Sequence, residues 1–312
     1  MTERNWMLPE AAQRKITLMG AEGSRWMNSL GRVIRELEND WDIRIGATLH
    51  GGSEALVTEA KLADGTDAVI KLGIPGPTGF EQEMRTLQAA GGCGYAHLLN
   101  HDAARRVMLL ERLGTPLDQL GLPVKRQIEI ICATLREAWT VTTDAGDRQT
   151  GAQKARYLGQ FIATTWNELG KPCAERAIEN ALAFADLRSR AYDPDNSVLV
   201  HGDAHGANTL QVLGPVSAGN SGFKFVDPDG MWAERACDLA VPMRDWSDDL
   251  LEGDPLTRGL ARCTYVAGLT GAPFDAIWQW GFLERMSTGL YLLQLGWADE
   301  AHKMLRVAEA WS

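Results

Sequence analysis

The stretch HGDAHGANTL, residues 201–210, follows the apolar run Ser197-Val198-Leu199-Val200, and together they decide how the chain is read. A strand-like segment that opens at once onto two histidines, an aspartate and an asparagine predicts a loop built to present small polar groups. A second such junction follows, where the run FKFVD (223–227) leads into Asp227-Pro228-Asp229-Gly230. Asn208 and Asp227 offer hard oxygen donors of the kind magnesium prefers. Asp203 is then left to hold a hydroxyl and receive its proton. Phosphoryl transfer needs this division of labour between a metal that neutralises phosphate charge and a carboxylate that orients the nucleophile.

Upstream, the pattern supplies a matching cation. Residues 23–41 place Trp26, Leu30, Val33, Leu37 and Trp41 at helical spacing. Strand signals follow at 43–49, at ALVTEAKL (55–62) and at DAVIKLG (67–73), the last two joined through Ala63-Asp64-Gly65 as a β-hairpin. Lys71 lies in that third strand, with Glu81 and Glu83 in the helix FEQEMRTLQAA (80–90) as candidate partners. The turn HGGSEA (50–55) carries glycines that let backbone N–H groups, and Ser53, approach a phosphate. VMLLERL (107–113) reads as a further strand, 124–190 as mostly helical, and the chain after about 247 as helical again. The expected fold class is α+β with two lobes: a helical segment over 1–42, a β-rich lobe over 43–113 and a helical lobe over 114–312 that carries the loops at 201–208 and 227–230.

HGDAHGAN resembles the H-G-D-x-H-x-x-N catalytic loop of the aminoglycoside phosphotransferase family, whose fold is protein-kinase-like, and DPDG resembles that family's metal-binding segment. The front of the chain is similar to the streptomycin phosphotransferase and hydroxyurea kinase branch. It shares the Trp/Leu-spaced helix, GGSEALV, DGTDAVIKL, EMRTLQAAGG and LLERLGTPL. The resemblance implies an ATP- and Mg2+-dependent kinase that phosphorylates a hydroxyl of a small molecule, an aminoglycoside and streptomycin first, giving antibiotic resistance. It makes Asp203 the catalytic base and Asn208 and Asp227 the metal ligands. Lys71, paired with Glu83, would hold the ATP phosphates together with Ser53. LERL (110–113), with Glu111 and Leu113, would be the hinge that meets adenine, and His201 would brace the loop. The chain lacks the long Gly-rich loop, the H-R-D arginine and the A-P-E segment of protein kinases, which favours a small acceptor. A metabolic kinase for a sugar or amino alcohol, and a nucleotide-binding pseudokinase, are the competing expectations.

Thirty-one basic against forty-one acidic residues give a net charge of −10, which disfavours nucleic acid and anionic lipid as partners and suits a cationic small molecule or simple solubility. Five scattered cysteines without a CxxC pair, and a start without the apolar core of a signal peptide, lead to a cytoplasmic expectation, as monomer or homodimer. His201 and His205 are four apart, but a zincin needs that pair on a helix with a glutamate after the first. Asp227, Asp229 and Gly230 do not have EF-hand spacing; Asp229 either touches a metal or caps the next segment. Asp238 is expected to fix the catalytic loop or a helix start. In RDWSDDLLEGDP (244–255), Asp245 and Asp248 either face a cationic acceptor or form the first turn of a helix capped by Ser247. Glu284, inside an apolar helix, either faces the acceptor or pairs with a neighbouring cation.

Overall fold

The structure, a computed structural model, describes residues 8–49, 54–76, 79–217 and 219–312. Its contacts divide into two compact units, Met1–Gly114 and Thr115–Ser312.

The first unit opens with helices α1 (Glu10–Leu18) and α2 (Ala21–Trp41). Strands β1 (Ile43–Thr48), β2 (Ala55–Leu62) and β3 (Asp67–Gly73) follow, then α3 (Phe80–Ala90), β4 (Leu98–Asp102) and β5 (Val107–Glu111). The strands form one antiparallel sheet in the order β1-β2-β3-β5-β4. Asp64 Oδ1 accepts from Thr66 N at 2.9 Å and Gly65 takes φ 88°, so the Asp-Gly turn closes the β2–β3 hairpin as its chemistry requires. On α2 the buried face runs through Leu30, Ile34 and Leu37, while Trp26, Val33 and Trp41 flank it half-buried. That face is one step round from the expected one. It packs with Ile70 and Leu72 of β3 in one core. By strand alternation Lys71 points to the opposite side of the sheet, where α3 lies. Gly73 sets the join: a Cβ there would come within 2.7 Å of the Phe80 ring, so only glycine lets β3 end against the start of α3. β4, for which the sequence reading gives no strand signal, takes up His101.

The second unit contains α4 (Val124–Ala138), α5 (Gly151–Glu168) and α6 (Glu175–Arg190), then short strands β6 (Val198–Val200), β7 (Thr209–Gln211), β8 (Phe223–Phe225) and β9 (Met231–Ala233). It ends with α7 (Ala240–Arg244), α8 (Ser247–Leu251), α9 (Pro255–Thr270), α10 (Phe274–Gln294) and α11 (Ala298–Ala310). On α4, Ile128, Ile131 and Leu135 are buried along one face, each worth about 1.5–3 kcal/mol relative to exposure. Thr150 and Gln153 form a capping box that starts α5. α10 buries residues all round, including Trp280, Phe282, Glu284 and Arg285. Arg285 donates there to Ser247 Oγ at 2.8 Å and to the Met243 carbonyl at 2.7 Å. Ser247 is therefore the first helical residue of α8 and an acceptor for α10, not the cap, which is Trp246. Among the described residues no helix is long and apolar enough to cross a membrane.

What matters for the site is how the small strands pair. β6 pairs antiparallel with β9 and β7 with β8. The loop 201–208 thus leaves one two-stranded ladder and enters the other, and the segment 226–230 does the same in reverse. Backbone bonds tie the two together directly: Val226 N donates to Asn208 O at 3.0 Å, and Asp229 N to His201 O at 2.8 Å.

Candidate active site

β6 ends by delivering His201 into the interior, with no exposed surface. Its Nε2 donates to the Val226 carbonyl at 2.9 Å, which leaves Nδ1 to accept from Asp203 N at 3.1 Å. The ring meets Phe225 edge-on at 4.9 Å. His201 therefore braces the loop and takes no part at its exposed rim. Asp238, also fully buried, accepts from His201 N at 3.0 Å, Gly202 N at 2.8 Å and Trp139 Nε1 at 2.9 Å. The geometry has it fix the start of the loop 201–208. Gly202 turns the chain at φ 95°, a conformation open to glycine.

Asp203 follows, its side chain 40% exposed. Arg244 Nη1 donates to Oδ1 at 3.1 Å, and His205 Nε2 lies 3.4 Å from Oδ2. Partial burial disfavours the Asp203 charge, but the His205 hydrogen bond and the charge of Arg244 outweigh it. The carboxyl is held well below the usual range. For His205 burial is likewise outweighed, by Asp203, and the imidazole is raised above its ordinary value. Asp203 is thus an ionised carboxylate between the Arg244 guanidinium and the His205 imidazole, whose Nδ1 accepts from Ala207 N at 3.2 Å.

Asn208 Nδ2 donates to the Asp203 carbonyl at 3.1 Å, which directs its Oδ1 away from that bond as the end suited to a cation. Asp227 sits at φ 58°, a left-handed conformation that aspartate tolerates better than most residues and that often marks function. No group of three or more His, Cys, Asp or Glu side chains is assembled for a metal among the described residues. An amide and a carboxylate oxygen fit magnesium, which takes few protein ligands and completes its shell with phosphate and water.

In the first unit, Lys71 Nζ meets both carboxylate oxygens of Glu83, at 2.6 and 2.7 Å, with both side chains about one-tenth exposed. Glu81 is exposed on α3, so Glu83 is the partner. Glu111 Oε1 accepts from His97 N at 2.6 Å, and Leu113 is buried. Ser53 lies outside the described residues.

The acids expected at a cationic acceptor have internal partners. Asp245 Oδ1 accepts from Arg244 Nε at 2.9 Å, Asp248 lies 3.0 Å from Lys303 Nζ, and Glu284 lies 2.6 Å from Lys154 Nζ. Asp229 packs against Gly202, where a Cβ would meet its Oδ2 at 2.6 Å. Sequence reasoning missed Arg244 and Lys154. The available signals were an arginine at the head of an acidic run and a lysine placed, against the helix dipole, in the first turn after a capping box.

An antiparallel sheet unit bearing a buried Lys–Glu pair, followed by a mostly helical unit with an Asp-bearing loop between short ladders, is a protein-kinase-like phosphotransferase fold. A choline kinase from Streptococcus pneumoniae shares this fold, with TM-score 0.58 and 13% identity over 89% of this chain and 97% of that one. Residues 40–269 match the family of aminoglycoside/hydroxyurea antibiotic resistance kinases, and the chain belongs to that family. A streptomycin 6-kinase from Streptomyces griseus is 34% identical over 222 residues, 70% of this chain and 68% of that protein. Another from Streptomyces glaucescens is 26% identical over 270 residues, 85% of this chain and 84% of that protein. The chain is an enzyme, a phosphotransferase of the antibiotic-kinase type.

Proposed function

We propose that the protein transfers the γ-phosphoryl group of ATP to a hydroxyl of an aminoglycoside, streptomycin being the first acceptor to test, in a magnesium-dependent reaction. The observation that carries this reading is the environment of Asp203: a half-exposed carboxylate whose backbone is bonded on every side and whose oxygens face Arg244 and His205. So weak a base does not deprotonate an alcohol in the ground state. It orients the hydroxyl, then takes its proton late, as a loose phosphoryl-transfer transition state allows. Arg244 faces Oδ1 and His205 faces Oδ2, and the acceptor hydroxyl is assigned to the remaining lone pair of Oδ2 on the exposed side of the carboxylate. Magnesium held by Asn208 and Asp227 would supply neutralisation of phosphate charge. Lys71, oriented by Glu83, would bind nucleotide phosphates. The streptomycin 6-kinases that share most of this chain's length favour that acceptor, and the net charge of −10 suits a polycation.

The test is ADP release across a panel of aminoglycosides and amino sugars, with the phosphate then located on the product by NMR. Streptomycin turnover is expected, and Asp203→Ala should lower it by about 10²–10⁴-fold with nucleotide binding retained. MgATP binding without phosphorylation of any acceptor would overturn the reading.

A further inference from the structure

Lys154 is a buried ammonium that neither the fold's core nor the chemistry above explains. It is the fourth residue of α5, close to the positive end of the helix dipole, and only 9% exposed, so both helix and burial oppose its charge. Its Nζ makes an ion pair with Glu284 Oε1 at 2.6 Å and donates to the Gly202 carbonyl at 3.1 Å.

The second contact is the informative one. Residue 202 must be glycine, because a Cβ would lie 2.6 Å from Asp229 Oδ2 and 2.9 Å from Met231 Cε, on a backbone at φ 95°. Glycine fits, but it brings the conformational freedom that a catalytic loop has to lose. The peptide between Gly202 and Asp203 is the last hinge before the reactive carboxylate. Its N–H is held by His201 Nδ1 at 3.1 Å, and its C=O by Lys154. On the far side of Asp203, the carbonyl accepts from Asn208 Nδ2 at 3.1 Å and His205 N at 2.9 Å. Lys154 thus reaches this loop from α5 with a charge-assisted bond.

We propose that Lys154 is a positioning residue for phosphoryl transfer: with His201 it clamps the Gly202–Asp203 peptide from both ends and so fixes where the Asp203 carboxylate points. Glu284 is its counter-ion. The proposal rests on Asp203 orienting the acceptor, as set out above.

The competing account is a plain buried ion pair, and the two predict different outcomes. Lys154→Met alone strands the Glu284 charge and is expected to destabilise the protein. Glu284 Oε2 also lies 3.8 Å from Arg244 Nη1, so the double variant Lys154→Met/Glu284→Gln removes both charges of the pair while keeping an amide oxygen beside Arg244. It should recover thermal stability, while kcat stays on the order of 10²-fold below wild type and KM for ATP holds within about twofold. Lys154→Arg keeps the charge opposite Glu284 but cannot set a donor where Nζ lies, so kcat should fall about tenfold in a folded protein. A wild-type kcat in either the double variant or Lys154→Arg would overturn the proposal in favour of the ion pair. A wild-type enzyme that phosphorylates no acceptor at all would instead overturn the function it rests on.

Discussion

Replacing Asp238 by asparagine changes one atom and should unseat the catalytic loop. The carboxylate accepts three bonds, two at Oδ2 (His201 N, 3.0 Å; Trp139 Nε1, 2.9 Å) and one at Oδ1 (Gly202 N, 2.8 Å), at a site with no solvent exposure. Asparagine keeps one acceptor oxygen. Its best orientation saves the two bonds at Oδ2 and turns an NH2 toward the Gly202 N–H, leaving that buried donor unpaired at about 1–3 kcal/mol. The two surviving bonds lose their charge assistance, at about 1 kcal/mol each. The sum is about 4 kcal/mol, and at about 2–4 °C per kcal/mol for a unit of this size Tm should fall by about 8–16 °C. Thermal unfolding followed by circular dichroism measures this, with Trp139→Phe as the control that removes one donor and costs about 1 kcal/mol. A Tm for Asp238→Asn within about 3 °C of wild type would refute the bond-by-bond reasoning.

Gly202→Ala places a methyl 2.6 Å from Asp229 Oδ2 at a backbone φ of 95°, and about 3 kcal/mol of destabilisation with loss of turnover is expected; unchanged melting would count against the packing described. Lys71→Met removes the cation that Glu83 chelates in a buried pair, so it should cost about 3 kcal/mol and raise KM for ATP about tenfold, measured by urea unfolding and initial rates. Thiol titration at pH 8 should find Cys93, the exposed cysteine, first. Burial pushes Cys132 and Cys263 up to about 12 and Cys173 up to about 11, so these three should react slowly until denaturant is added; fast labelling of two or more thiols would contradict their placement.

Much of this was legible in the residues themselves. The hairpin around Asp64-Gly65 and the helix 80–90 follow from local chemistry that no distant contact overrides, and β2, β3 and α3 start and stop where the pattern says. The bracing by His201 and Asp238, and the choice of Glu83 for Lys71, were expected because each residue sits beside a motif. What was not legible depends on groups far apart in sequence. Lys154 meets the loop 48 residues on, and Arg244 reaches Asp203 across 41. β7 and β9, three residues each, are too short to carry a period. The acidic run at 244–255 reads equally as a wall for a cationic acceptor and as the first turn of a helix, and the structure gives its acids Arg244, Arg258, Arg262 and Lys303 as neighbours.

The pairing of β6 with β9 and of β7 with β8 has a consequence for how such an enzyme changes. The spacing between residues 203, 208 and 227 is dictated by main-chain ladders, which are indifferent to side-chain identity. Side chains on the surrounding helices can accordingly change while that spacing stays put. A scaffold of this design separates the spacing of a site from the identity of the side chains packed around it.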